Sequence, residues 1–527
     1  MTVTKVTETE RKYEVDDTAQ LPDLSTVPAI AKTEAQEPFT LRAVYFDTAG
    51  GALAAAGFTL RRREGGSDEG WHLKTPAPRG RTEHRVALEP PGDHTPPAQF
   101  VPPRELIDLV LARSRGNELV EVAHITTERS VTTVFTADAD GEDADNAAGA
   151  ASTGAASTAS TASAEIADDR VAATDVQNGI LRLWREWEVE LLNAERGDVL
   201  DALEPHLLAA GASASRHPSK LARALEREDH ATQAAALPDD SATALGAAIR
   251  VLWHLRDELL DADPGVRSDE PDAVHQMRIV IRRLRSVLAA FQGVLDPAVL
   301  DDLRYRLGQL GDTLGVVRDA EVRHQRASAL IAPATVDAVH VRRRLVEDAW
   351  AEYESLLTSL LGYLSSAEYF ALLDAIDALV LRPPVAGQSL AKARPAMRLV
   401  VRRESRRARR RLKNAHHDDL EALHGARKAA RRLRYVAEAL SGGDTPVLGK
   451  KTVALAKSAE SVQDLLGEHR DATLFVERLR QTALQAEEAG ESAADYDSLA
   501  EAERQHASQA VDALEAAVSE LGRAAKA

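Results

Sequence analysis

The chain has 527 residues, with 65 Lys plus Arg against 83 Asp plus Glu, a formal net charge of −18 and a pI near 5.4. The absence of cysteine excludes disulfides and thiolate-bound metals, and the acidic balance argues against general nucleic-acid coating. The length predicts two or more domains, and no apolar run or signal region suggests a membrane, so the expectation is a soluble cytoplasmic protein with no membrane partner.

Residues 1–229 read as β-rich. Alternating segments recur at Thr7–Val15, Thr40–Phe46, Phe58–Arg63, Trp71–Thr75, Thr82–Leu88, Arg129–Thr136, Ala164–Ala172 and Trp184–Leu192. Between two of them lies the Ala-, Ser-, Thr- and Gly-rich tract 137–163. It cannot bury enough apolar surface to order itself, and a disordered low-complexity insert at a hairpin is predicted. Residues two apart on a strand share a face. Glu8, Glu10 and Lys12 therefore point together. So do Arg61 and Arg63, His72 and Lys74, Arg81, Glu83 and Arg85, and Glu186, Glu188 and Glu190. A sheet with one wet face also alternates, but here acids and bases are segregated into groups. Strands with inward charges can close into a barrel with a polar lumen. Clustered carboxylates there bind a hard cation such as Mg²⁺ or Mn²⁺, and clustered Arg and Lys bind phosphate oxygens. Together they describe metal-assisted cleavage of a phosphoanhydride.

Residues 230–241 read as a polar linker, and 242–527 as helix throughout, with an acidic helical tail from 484 that either covers the bundle or is solvated. One eleven-residue pattern occurs twice, from His275 to Arg285 and from His424 to Arg434. In each, a His is followed by Arg at offsets three, seven, eight and ten. At about 100° per residue, all but the offset-eight Arg fall on one face. The stripes are His275, Arg278, Arg282 and Arg285, then His424, Arg427, Arg431 and Arg434, with Arg283, Lys428 and Arg432 beside them. Leu314-Gly315-Val316-Val317-Arg318-Asp319 and Leu466-Gly467-Glu468-His469-Arg470-Asp471 form a second matching pair. Such a duplication predicts two equivalent helical units packed together. Their stripes, with Arg318 and Arg470, would line one cationic groove for a long polyanion. An ordinary solvated face mixes signs, yet no acid lies between Val274 and Leu295 or between His424 and Ala437. Asp319 and Asp471 are expected to orient Arg318 and Arg470. The two His are expected to donate to phosphate or cap their helices, since the neighbouring Arg repel a metal. The Arg-dense run Val401–Lys413 either extends the groove or is solvated. Nucleic acid ranks below polyphosphate as a partner because no aromatics interleave to stack bases.

Glu8-x-Glu10-Arg11-Lys12, Tyr45-Phe46-Asp47-Thr48, Leu60-Arg61-Arg62-Arg63, Lys74, Arg81-x-Glu83, Arg129, Glu188-Val189-Glu190-Leu191 and Ser219-Lys220-Leu221-x-Arg223 follow one another in this order. The segment resembles the CYTH domain, the triphosphate tunnel metalloenzyme family. The doubled His-x-x-Arg-x-x-x-Arg-Arg-Leu-Arg and Gly-x-x-Arg-Asp elements resemble the CHAD domain, a conserved-histidine α-helical domain. The resemblance implies an α+β multidomain chain with an N-terminal eight-stranded antiparallel β tunnel barrel and a C-terminal all-α bundle with internal duplication. It implies that Glu8, Glu10, Glu188 and Glu190 are metal-side acids, with Asp168 as a further one and Asp169 competing for that role. It implies that Lys12, Arg61, Arg63, Lys74, Arg81, Arg129 and Lys220 bind a triphosphate, and that Mg²⁺ or Mn²⁺ is the cofactor. Glu8, Glu10, Lys12, Glu188 and Glu190 would carry the chemistry. Arg85 is a departure, because many relatives carry an acid there. The implied function is an inorganic triphosphatase whose helical domain holds long-chain polyphosphate, with association with polyphosphate granules. The alternatives are a non-catalytic polyphosphate-binding protein, and a thiamine-triphosphatase or class IV adenylyl cyclase-like enzyme, ranked lower because the motifs hold few aromatics.

Overall fold

The computed structural model describes residues 4–76, 80–88, 100–137, 160–192, 196–226, 242–331, 339–416, 419–443 and 445–526. The chain divides into two compact units, Met1–Ala236 and Leu237–Ala527. The linker predicted at 230–241 and residues 138–159 of the predicted insert lie outside the described residues. The edges of that insert need correction. Ala137 and Ser160 to Ser163 are strand residues, with Ala137 paired to Ser160. Small polar side chains give no alternation signal, but their backbones complete the ladder.

The first unit is an antiparallel sheet of β1 (Thr4–Glu8), β2 (Glu10–Val15), β3 (Lys32–Ala35), β4 (Phe39–Thr48), β5 (Thr59–Glu64), β6 (Gly70–Pro76), β7 (Arg81–Val86), β8 (Leu119–Ala137), β9 (Ser160–Asp175), β10 (Ile180–Leu191) and β11 (Ser213–Ala214). The spatial order is β1-β7-β6-β5-β4-β8-β9-β10-β2-β11, with β3 on β8. β1 and β2 are one run interrupted at Thr9. Glu8 pairs with Arg81 of β7, while Glu10 pairs with Glu190 of β10. The curled sheet therefore returns to its first strand. With the short β3 and β11 set aside, the other nine strands make a wall of eight members once β1 and β2 are counted as one.

Alternation sorts the two faces. Outward residues are apolar and covered by helices that the sequence pattern did not reveal. Asp47 ends β4 by accepting from the Leu53 and Ala54 N–H groups of the short α1 (Ala52–Ala55), so it serves a turn rather than the lumen. α2 (Arg104–Ser114) buries Leu106, Leu109 and Val110 on Leu60, Trp71 and Leu73. α3 (Gly197–Ala209) buries Val199, Leu203 and Leu207 on Tyr13, Trp187 and Val189. Each such aliphatic side chain contributes about 1.5–3 kcal/mol. α4 (Lys220–Ala224) behaves differently. Ser219 caps it by accepting from Ala222 N–H at 3.1 Å. Its Leu221 and Ala224 pack on Ala43, Tyr45, Ile125, Val171 and Ala173, several of them on the inner face. This short helix closes one end of the lumen.

The second unit is helical. It comprises α5 (Ala244–Arg267), α6 (Ala273–Ala290), α7 (Pro297–Ile331) and α8 (Val339–Arg342), which continues through a π turn (Arg343–Glu347) into α9 (Asp348–Leu364), then α10 (Ala367–Leu381), α11 (Ala393–Lys413), α12 (Leu420–Ser441), α13 (Lys450–Glu488) and α14 (Ala494–Ala524). The duplicated patterns occupy equivalent places. α6 packs on α7, α12 on α13, and the stripe helices α6 and α12 on each other. Met277, Ile281, Leu284, Leu288 and Phe291 are buried, which fixes the back of the first stripe to the core. The acidic tail covers the bundle: Tyr496, Leu499 and Ala500 of α14 pack on Phe475, Val476 and Leu479 of α13. No helix among the described residues is long and apolar enough to cross a membrane.

Candidate active site

The lumen of the first unit contains a cavity of about 310 Å³. Glu8, Glu10, Lys12, Arg61, Arg63, Lys74, Arg81, Arg129, Glu188, Glu190 and Lys220, all singled out in the sequence, line it. They arrive from β1, β2, β5, β6, β7, β8, β10 and α4. Lys12 contacts Glu188 and lies 3.2 Å from Glu10. Lys74 contacts Glu8. Arg129 grips Asp169 with two hydrogen bonds of 2.8 and 2.6 Å and reaches Glu188 at 2.8 Å. Burial would raise the Glu188 carboxyl, but Lys12, Lys220 and Arg129 hold it well below the usual range. Burial, then Arg61 and Arg129, bring Arg63 down to about 9. Cations crowded in this way favour an incoming anion. Arg85 also lines the cavity, 3.2 Å from Glu8 and bonded to the buried Glu83. It therefore neutralises two lumen acids from the position where the resemblance leads one to expect a third.

Asp168 is corrected. It pairs in register with the buried Trp187 and is held by Arg185 at 2.8 and 2.6 Å, on the side of the strand away from the lumen. Asp169 pairs in register with Glu186 and takes the inward place. Neighbouring strand residues point to opposite faces, so only one of the two can serve the cavity. Sequence reasoning also missed Glu165, a cavity-lining acid opposite Glu190. The parity of Glu165, Ala167 and Asp169 could have revealed it.

Two sets of acids bear on a divalent ion, and only the first converges on a single point among the described residues. Asp169, Glu186 and Glu188 offer oxygens to one point. Lys220 Nζ, however, lies 2.8, 2.7 and 2.8 Å from these three carboxylates, so its ammonium already answers them. The second group is Glu8, Glu10, Glu165 and Glu190, and Glu190 stands between Glu10 and Glu165 in the register. Burial, then Glu8, push the Glu190 carboxyl up to about 7, with Lys74 only partly offsetting them. A buried carboxyl among other carboxyls fits a hard dication.

The second unit brings its two stripes face to face. Burial, then Arg278 and Arg431, bring Arg282 of α6 down to about 9. Burial, Arg427, Arg278 and Arg285 outweigh Tyr435 and bring Arg431 of α12 down to about 10. The histidines flank this cluster: burial and Arg318 lower His275, while burial, Lys428 and Arg470 lower His424. The paired glycines have a shared purpose. A Cβ on Gly315 would lie 3.3 Å from Arg278 Nη2, and one on Gly467 would lie 3.2 Å from Arg427 Nη2. Each glycine lets a stripe Arg lie flat on the adjacent helix.

Comparison with known proteins now separates the units by family. Residues 7–224 match the CYTH domain and residues 250–480 match the CHAD domain. The chain is a CYTH–CHAD protein. It is 38% identical to the Mycobacterium tuberculosis protein Rv2226 over an alignment of 546 positions that covers 98% of this chain and 97% of that one. Among solved structures it is similar to the CHAD domain from the plant Ricinus communis (25% identity, 54% of this chain and 95% of that one, TM-score 0.44). It is also similar to PptA from Streptomyces chartreusis (20% identity, 52% of this chain and 99% of that one, TM-score 0.44).

Within the CHAD unit four sequence expectations need correction. Arg283 and Arg432, at offset eight, point away from the shared cluster. Arg283 pairs with Glu258 of α5, and Arg432 pairs with Glu404 of α11 at 2.8 Å. They tie each stripe helix to the helix before it. Arg434 is neutralised by Glu438 and Glu460, both at 2.7 Å, with Asp464 at 3.8 Å, whereas its counterpart Arg285 lies over Gly308 and Gly311. Asp319 bonds Arg278 across the helix pair at 3.1 Å rather than its neighbour Arg318, which pairs with Glu321 and Asp272. Consecutive helical residues diverge by about 100°, so neighbours cannot face each other. His424 does not cap α12; Asp419 does, accepting from Ala422 N–H at 2.9 Å.

Two consequences in the CYTH unit can be measured. The Glu190 carboxyl has its folded pKa raised, so its stabilising contribution is whole below the ordinary value of 4.5 and is lost as pH rises through about 7. With metal chelated, Glu190→Gln should raise the melting temperature at pH 8 by the equivalent of roughly 3 kcal/mol and change little at pH 4. Lys220 is 9% exposed and serves three carboxylates. Lys220→Ala should cost about 3–5 kcal/mol in denaturant unfolding by leaving them short of a cation.

Proposed function

We propose that the chain is an inorganic triphosphatase, converting tripolyphosphate and water to pyrophosphate and phosphate, with a CHAD unit that holds long polyphosphate and can locate the enzyme on polyphosphate deposits. The observation that carries this reading is the convergence of seven cations with Glu8, Glu10, Glu188 and Glu190 on one cavity closed by α4. Lys12, Arg61, Arg63, Lys74, Arg81, Arg129 and Lys220 orient the phosphate oxygens and meet the charge that develops on them. Glu8, Glu10 and Glu190, with Glu165 beside them, would hold Mg²⁺ or Mn²⁺, while Glu188 is held by Lys12, Lys220 and Arg129. Such an ion supplies charge neutralisation and lowers the pKa of bound water. The curled wall and α4 keep bulk water from the closed end, which strengthens every charge interaction inside.

In the CHAD unit, Arg278, Arg282, Arg285, Arg427 and Arg431, with His275, His424, Lys428, Arg318 and Arg470, form the polyphosphate groove. The lowered basicity of Arg282 and Arg431 supports this, because like charges held together in a part-buried groove are relieved by a linear polyanion. The test is product analysis. With a divalent ion, tripolyphosphate should yield pyrophosphate and phosphate in equal amounts, and EDTA should stop the reaction.

A further inference from the structure

The Arg-dense run that precedes the second stripe forms α11, and its two faces differ completely. Ala396, Met397, Val400, Val401, Ala408 and Leu412 are buried. Glu404, the single acid on this helix, is 2% exposed and spent on Arg432 and Arg403. The outward arc holds Arg398, Arg402, Arg406, Arg409, Arg410 and Lys413, all exposed. Among the described residues none of these six makes an ion pair. At about 1.5 Å per residue the row runs on the order of 22 Å. Its Arg–Arg neighbours four apart repel, costing the helix a few tenths of a kcal/mol each.

The duplicated fold does not require this row. α5 stands in the same place before the first stripe, and its Glu258 holds Arg283 as Glu404 holds Arg432. Yet α5 carries Asp257, Asp261 and Asp263, and its Arg256 and Arg267 are spent on Asp257, Asp377 and Asp263. The basic row thus belongs to one copy only. It also connects with the groove. Arg411, next in sequence to Arg410 of the row, has its Nη1 3.9 Å from the place of a Cβ on Gly425, beside His424. Lys428, one turn from His424, is exposed along the same route.

We propose that the outward face of α11 is a second phosphate-chain surface, taking the part of a long polyphosphate that emerges from the groove. This rests on the groove reading of the CHAD unit and adds to it a dependence on chain length. A linear phosphate polymer is favoured over duplex nucleic acid or a lipid surface for two reasons. No aromatic side chain stands in the row to stack on bases, and Leu399 is the one large apolar side chain exposed on this arc, too little for a lipid surface.

The test uses the full chain with Arg402, Arg406 and Arg409 changed to Glu, and a Gln version as a milder control. Binding of short and long polyphosphate is titrated over a range of salt. The expected result is a loss of about tenfold or more for long chains with a shallower salt slope, no change for short chains, and a smaller effect of the same kind with Gln. Long-chain binding equal to wild type would overturn the proposal, as would an equal loss for short chains. If the variant loses duplex DNA binding while keeping long polyphosphate, the face serves nucleic acid and the proposal also fails. Failure of the groove reading is distinguishable, since the wild-type chain would then bind neither length.

Discussion

The double variant Glu10→Ala, Glu190→Ala should lose tripolyphosphate hydrolysis by on the order of 10³-fold or more while keeping its fold. Glu10 and Glu190 are register partners at the point where β2 joins β10, and both line the cavity. Removing them takes two oxygen donors from the acids that line the cavity beside Glu8 and Glu165. Burial, then Glu8, hold the Glu190 carboxyl up near 7, so its loss relieves the native state rather than breaking it. Glu190→Ala alone should therefore lower activity while stability rises, a combination that a merely structural role would not give. Glu10, which against burial Lys12 at 3.2 Å holds below the usual range, should on replacement lose activity with some loss of stability. Phosphate release and thermal melting on the same samples check this. For the wild type, binding of a divalent ion should strengthen as pH rises through about 7, because the dication competes with the proton on Glu190.

Changing Arg278, Arg282, Arg427 and Arg431 to Glu should abolish binding of long polyphosphate and leave tripolyphosphate hydrolysis unchanged. Each charge-assisted hydrogen bond lost costs about 1.5–3 kcal/mol, so four of them amount to far more than a thousandfold. A simpler companion is Arg282→Met. Burial, then Arg278 and Arg431, hold Arg282 down to about 9. At neutral pH the native state nevertheless carries it as a cation, at a cost that is relieved only as pH rises past 9. Arg282→Met should therefore raise the melting temperature and weaken polyphosphate binding. A titration against salt separates the two variants: the slope of log affinity on log salt should fall as phosphate contacts are removed.

Much of this arrangement is legible in the sequence because it follows from two periodicities. The parity of Glu186, Glu188 and Glu190 against Trp187 and Val189 is enough to name the inner and outer faces of β10 from residue order alone. The spacing of His275, Arg278 and Arg282 does the same for α6. What escapes are decisions made by distant partners. Asp168 and Asp169 are chemically identical, and only the register against β10 says which one turns inward. Arg283 and Arg432 look like neighbours of the stripe that extend the groove until Glu258 and Glu404, 25 and 28 residues earlier, are placed beside them. Gly315 and Gly467 are visible as a repeated motif, but their reason, room for a guanidinium from a neighbouring helix, is a tertiary fact. α4 is five residues long, too short for a periodicity signal, yet it closes the lumen and delivers Lys220.

The central claim is that the CYTH lumen is built for an inorganic triphosphate. The most direct measurement is the initial rate of phosphate release by the purified full chain on tripolyphosphate, long polyphosphate, ATP and thiamine triphosphate, each with Mg²⁺, with Mn²⁺ and with EDTA. The account predicts metal-dependent turnover with the highest kcat/KM on tripolyphosphate. No hydrolysis of any triphosphate with either metal, or a clear preference for ATP or thiamine triphosphate, would contradict it.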